Sequence, residues 1–176
     1  MQKNWYAVYT KLKCEKKVSA SLTKKKIENY CPLNRKIHDE SMKKKKYVVE
    51  PLFASYVFVR ITENEMMFLK QQTSDIINFV YWLGRPVIIK DVEIENIQEF
   101  LNTYTNIYLE KTEVNLNKMV RIINRTPIIE TSDNVIVMNS TIVKMTLPTL
   151  GCIICASANS AEFELEETYY GLRSIV

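Results

Sequence analysis

Two short segments alternate in side-chain character from one residue to the next, and this alternation limits the fold more than any other feature. Trp5-Tyr6-Ala7-Val8-Tyr9 and Tyr56-Val57-Phe58-Val59-Arg60-Ile61 both read as strands. Side chains two apart share a face of a strand. Tyr6 and Val8 therefore share one face of the first strand, and Trp5, Ala7 and Tyr9 the other. In the second, Val57 and Val59 share one face, and Tyr56 and Phe58 the other. The aliphatic sets suit packing under helices. The aromatic set, Trp5, Tyr9, Tyr56 and Phe58 with Phe53 nearby, collects on the opposite face. A face of that kind is covered either by the protein's own loops and second domain or by a partner.

Helical spacing surrounds these strands. Cys14, Val18 and Leu22 recur every four residues, with Lys13, Lys16, Lys17 and Lys24 off that face. The helix is expected to stop near Lys24–Lys26. Lys26 stands where a helix-ending glycine would be comfortable, so fraying is expected there. Leu33–Ile37 and Lys46–Glu50 read as strands around a polar loop. Asn64–Gln72 reads as a short helix and Ile76–Trp82 as a strand closed by the Leu83-Gly84-Arg85-Pro86 turn. Asp91 is placed as the cap of a third helix, with Ile94, Ile97 and Leu101 at helical spacing. The order predicts an α+β sandwich over residues 1–104, one mostly antiparallel four-stranded sheet with helices on one face. Residues 105–117 read as a polar linker. Met119–Ile123, Asn134–Met138, Thr141–Leu147 and Cys152–Ala156 then predict a small β-barrel over 118–168, followed by a tail, 169–176.

Composition narrows the chemistry. The 176 residues are 47% hydrophobic and 25% charged, enough apolar content for a packed core. No apolar run approaches ~18 residues, so no membrane span is expected. The N-terminus has no signal-like apolar region, which places the chain in the cytoplasm as an expectation. Cys152 and Cys155 form a lone C-x-x-C inside an apolar run; it lacks the second pair that a structural zinc needs and reads as small residues in a strand. With one histidine, no glycine-rich phosphate loop and no clustered carboxylates, neither a catalytic constellation nor a cofactor is expected. Glu162, Glu164, Glu166 and Glu167 read as a solvated acidic end. Charge is uneven: residues 1–60 carry 15 Lys and Arg against 5 Asp and Glu, and the remainder 9 against 15. A basic first part joined to an acidic remainder points to a polyanionic partner for the first.

Four segments, taken together, resemble the NusG family of transcription factors. These are Trp5-Tyr6-Ala7-Val8-Tyr9 before a basic helix, Glu50-Pro51-Leu52-Phe53-Ala54-Ser55-Tyr56-Val57-Phe58-Val59, Asn78-Phe79-Val80-Tyr81-Trp82-Leu83-Gly84-Arg85-Pro86-Val87, and Met119-Val120-Arg121-Ile122-Ile123-Asn124. They occur in the family's order and spacing. Within the family the chain is most similar to the specialised antitermination paralogues UpxY and RfaH, the former acting at capsular polysaccharide operons. Two departures stand out. Ala54-Ser55 replaces the usual Pro-Gly or Pro-Asn before the tyrosine, and Arg125-Thr126-Pro127 follows the last segment where a glycine is usual.

The resemblance implies a NusG N-terminal (NGN) domain followed by a KOW barrel, related to SH3 barrels, in a monomer that binds RNA polymerase. It implies that Trp5, Tyr9, Phe53, Tyr56 and Phe58 form an apolar depression for the clamp helices of the polymerase's largest subunit. It places Lys11, Lys13, Lys16 and Lys17, with Gln71, Gln72, Thr73 and Ser74, against the non-template DNA strand. Lysines beside a helix N-terminus run against the macrodipole, which an anionic partner would offset; a merely solvated helix face is the other reading. Lys43-Lys44-Lys45-Lys46 reads either as a soluble hairpin tip or as a contact to upstream DNA. The barrel is expected to meet ribosome, Rho or another partner, or to mask the aromatic face. The competing reading is an RRM-like RNA-binding module, because Tyr56, Phe58 and Val59 match part of an RNP1 pattern. An enzyme would require a redox-active Cys152–Cys155 pair.

Overall fold

The computed structural model describes residues 2–38, 46–111, 128–131, 134–139 and 142–157. The chain runs β1 (Asn4–Thr10), α1 (Glu15–Lys24), β2 (Asn29–Tyr30), β3 (Leu33–His38), β4 (Lys46–Pro51), β5 (Tyr56–Ile61), α2 (Glu65–Gln72), β6 (Ile76–Phe79), β7 (Tyr81–Trp82), β8 (Arg85–Pro86), β9 (Ile88–Ile89) and α3 (Asp91–Thr103). A second group follows: β10 (Tyr108–Lys111), β11 (Ile128–Thr131), β12 (Asn134–Asn139), β13 (Ile142–Leu147) and β14 (Cys152–Ser157). The expected strand at Met119–Ile123, residues 39–45 of the basic hairpin and the acidic end lie outside the described residues.

The first sheet is antiparallel, in the order β2-β5-β1-β6, with β9 also paired to β1. β1 and β5 form its centre, with Tyr6 opposite Val59, Val8 opposite Val57 and Tyr9 opposite Tyr56. Alternation sorts the side chains into two cores. Tyr6, Val8, Val57, Val59 and Ile61 pack with Val18 and Leu22 of α1 and Met66 and Leu69 of α2. Trp5, Ala7 and Phe58 enter the other core, with Ile94, Ile97 and Phe100 of α3. The third helix therefore covers the aromatic face, and the sheet has helices on both sides, not one. The apolar stripe of α3 finds Trp5, Phe58 and Ile89 there, while α1 and α2 already fill the aliphatic side. On α2, Met67, Phe68 and Gln71 point to solvent.

Two local details follow from backbone chemistry. Lys26 adopts φ 60°, Ile27 N–H donates to Leu22 O at 3.0 Å and Lys26 N–H to Thr23 O at 2.9 Å. This is a Schellman-type stop built on a lysine where glycine is preferred. Asp91 is the first residue of α3, not its cap; Lys90 holds that position in extended conformation.

The second sheet is antiparallel in the order β10-β14-β13-β12-β11. β10 lies within the stretch expected to be linker, and pairs Tyr108–Lys111 with Cys155–Cys152. Val143, Met145, Leu147, Ile154 and Ala156 of this sheet belong to the same apolar cluster as Trp5, Phe53 and Phe58. The two units therefore share one core. Two polar contacts tie them. Glu93 of α3, 1% exposed, accepts the Thr149 N–H at 3.0 Å. Asn34 of β3, also 1% exposed, exchanges hydrogen bonds with the Ile107 backbone, donating to O at 2.6 Å and accepting from N–H at 3.1 Å.

Candidate functional site

The five aromatic residues meet on one face. Tyr9 and Tyr56 stand directly opposite in the β1–β5 ladder, with ring centroids 5.3 Å apart. Phe53, in the β4–β5 turn, lies edge-on to Phe58 at 5.5 Å, and Tyr30 stacks on Phe58 at 6.4 Å. Aromatic pairs at these separations are attractive beyond the area they bury. Access differs among them. Trp5, Phe53 and Phe58 are buried in the core shared with α3 and the second sheet. Tyr56 is half-buried, and Tyr9 remains 41% exposed. A sheet surface covered in this way does not display Phe58 to RNA as an RRM would.

The turn that positions Phe53 and Tyr56 explains the Ala54-Ser55 departure. Ser55 has φ 65°, a conformation glycine or asparagine takes more easily. Its N–H donates to Glu15 Oε1 at 2.6 Å, and its carbonyl accepts the Thr10 N–H at 2.8 Å. Glu15, buried in the first turn of α1, thus fixes the turn from below.

The basic groups converge at one end of the sheet. Lys11 N–H donates to Asp75 O at 2.9 Å, which brings the β1–α1 loop against the α2–β6 loop containing Gln71, Gln72, Thr73 and Ser74. Asp75, which sequence reading passes over, takes Lys17 Nζ at 2.8 Å and Lys11 Nζ at 3.5 Å. The hydrogen bond from Lys17 holds the Asp75 carboxyl below its usual range, and the same contact raises the Lys17 ammonium. The carboxylate partly offsets the lysines beside the N-terminus of α1. Lys16 turns away and donates to Val49 O of β4 at 2.6 Å. Lys13 is exposed at φ 60°. Gln71, Gln72 and Ser74 are exposed, but Thr73 is buried. The Thr73 hydroxyl accepts from Lys25 Nζ at 3.3 Å, and Lys25 also donates to Gln72 O at 2.8 Å. Lys25 therefore joins this surface, and Thr73 supports it from inside.

No group of metal-ligating side chains occurs among the described residues. Cys152 and Cys155 are free. Three residues apart on a strand, they point to opposite faces. Burial pushes each thiol up to about 11, so neither is a ready thiolate at neutral pH. Among the described residues no helix is long and apolar enough to cross a membrane.

The family described as "Transcription termination factor nusG" matches residues 3–98. The chain is similar to the structure "Domain interaction in Thermotoga maritima NusG", at 22% identity and a TM-score of 0.50, covering 89% of this chain and 93% of that one. It also aligns with "Crystal Structure of MjSpt4:Spt5 complex conformation A", at 17% identity over 90% of this chain and 96% of that one, but the TM-score of 0.33 is too low to support an argument. No curated protein sequence matches. The family match spans the sheet that gathers the aromatic residues and both loops of the basic surface, and on it the chain belongs to the NusG family of transcription factors.

Proposed function

We propose that the chain is a transcription elongation and antitermination factor that docks on RNA polymerase through its aromatic face and suppresses pausing or termination. The observation that carries this reading is the convergence of Trp5, Tyr9, Phe53, Tyr56 and Phe58 on one face, with Tyr9 and Tyr56 forming its accessible edge. Buried aromatic anchors supply most of the energy of such interfaces, and the clamp helices of the largest subunit are the partner. Lys11, Lys13, Lys17 and Lys25, with Gln71, Gln72 and Ser74, hold the displaced non-template DNA strand. The factor acts at particular operons, such as capsular or surface polysaccharide loci, in the manner of UpxY and RfaH.

The shared core adds a condition. Trp5, Phe53 and Phe58 are buried in one cluster with α3 and with strands of the second sheet, so docking beside α3 requires that sheet to leave. The second unit then acts as a cover in the free protein and, as a KOW barrel, recruits ribosome or Rho once released. The test is the affinity of the full chain for a transcription elongation complex. Tyr9→Ala, which removes an exposed ring, lowers it by roughly tenfold or more without loss of fold. Unchanged affinity rejects the docking face.

A further inference from the structure

The β7–β8 hairpin belongs to neither core and has no role in the docking reading. It starts from the sheet edge, where Val80 N–H donates to Ala7 O at 2.9 Å, and closes with Val87 N–H on Val80 O at 2.9 Å. Leu83 and Gly84 form its two-residue turn at φ 48° and 76°. Such turns favour Asn-Gly, because both residues sit in the left-handed region. Here the first position holds a leucine that is 88% exposed, and Trp82 beside it is 65% exposed. Neither the local strain nor the exposure of these side chains contributes to the fold. Trp82 stands opposite Arg85, and Tyr81 opposite Pro86. Cross-strand partners share a face, so the indole and the guanidinium lie side by side on the ribbon.

Charge selects the occupant. From Ile76 to Lys90 there is no acidic residue. The root strand β6 continues the positive sign, because Lys70 Nζ reaches Asn78 Oδ1 at 3.2 Å, and its far end follows Asp75, which meets Lys11 of the β1–α1 loop and Lys17 of α1. An exposed indole beside an arginine, at the end of a basic track, has the chemistry of a stacking platform for unpaired bases.

We propose that the β7–β8 hairpin binds single-stranded DNA, with Trp82 stacking on a base and Arg85 holding the adjoining phosphate. It extends the lysine surface assigned above, yet its signature is different. Loss of a lysine flattens the salt dependence of binding, whereas loss of the indole lowers affinity at every salt concentration. The test titrates the full chain with fluorescent oligothymidylate. Trp82→Ala lowers affinity about five- to a hundredfold with an unchanged salt slope. Trp82→Phe keeps most of the binding, which separates stacking from collapse of the hairpin. Arg85→Ala flattens the log–log salt slope by about 0.7. Binding of both Trp82 variants at wild-type strength overturns the proposal, as does an equal loss on a DNA duplex. Tighter binding of oligouridylate overturns the choice of DNA. Weakened polymerase binding with DNA binding intact makes the hairpin a protein contact instead. If Lys13→Ala leaves the slope unchanged while Trp82→Ala still weakens binding, the lysine assignment fails and this one stands.

Discussion

The Glu93 carboxylate, in the first turn of α3, accepts the backbone N–H of Thr149, in the turn between β13 and β14, at 3.0 Å. Its other oxygen accepts the Lys90 N–H at 3.3 Å. One buried side chain thus caps the helix that covers the aromatic face and holds the second sheet beside it. Glu93→Ala leaves two N–H groups without their acceptor, a cost of about 1–3 kcal/mol. The expected outcome is a lower melting temperature and faster hydrogen exchange at Thr149, together with tighter binding to the elongation complex.

Asn34 makes the corresponding contact at the start of the second unit. Its amide satisfies both backbone groups of Ile107, immediately before β10. Asn34→Ala is expected to cost about 1–3 kcal/mol and to speed hydrogen exchange at the Ile107 amide. Asn34→Asp keeps the acceptor but sets a buried carboxylate oxygen against the Ile107 carbonyl, and is expected to cost at least as much as Asn34→Ala.

The aromatic residues predict graded behaviour. Phe53 is 8% exposed, so Phe53→Ala opens a cavity and destabilises the fold by about 3–5 kcal/mol besides weakening docking. Tyr9→Ala loses only the ring pair with Tyr56, is expected to cost about 1 kcal/mol of stability, and weakens docking in a domain that stays folded. Thermal melts beside affinity measurements separate the two effects.

The lysines are not equivalent. Lys13 is exposed and makes no ion pair among the described residues, whereas Lys11 and Lys17 share Asp75. Lys13→Ala is expected to reduce the salt slope of single-stranded DNA binding by about 0.7, and Lys17→Ala by less. Asp75→Asn removes the competing carboxylate and is expected to tighten binding.

Burial raises the thiols of Cys31, Cys152 and Cys155 to about 11 each, against an ordinary value of about 8.5. The folded state therefore keeps protons that the unfolded state releases. Stability from this source is full below pH ~8.5 and falls as pH rises towards ~11. Denaturant titrations at pH 8 and pH 10 are expected to give a lower midpoint at the higher pH, and a triple Cys→Ala variant a smaller difference.

The alternation of β1 and β5 was legible because period two decides which side chain faces which layer. The separate packing of Tyr6 and Val8 from Trp5, Ala7 and Phe58 follows it directly. The side taken by α3 was not legible, because both faces of the sheet are apolar and the stripe Ile94, Ile97, Phe100 suits either. Strands β2 and β9 are two residues long, too short for any period to register. β10 is Tyr-Leu-Glu-Lys, a sequence whose pairing is fixed by β14, not by its own pattern. The inward turn of Thr73 and the roles of Asp75, Asn34 and Glu93 depend on partners far along the chain. A local reading sees those residues only as polar positions.

The central claim is that one face of the first unit docks on RNA polymerase and that the second unit covers it. The most direct test compares the affinity of the full chain and of residues 1–104 for the same elongation complex. Both are expected to bind, the shorter chain more tightly. Equal affinities would contradict the covering role. A folded 1–104 domain that fails to bind would contradict the docking face itself.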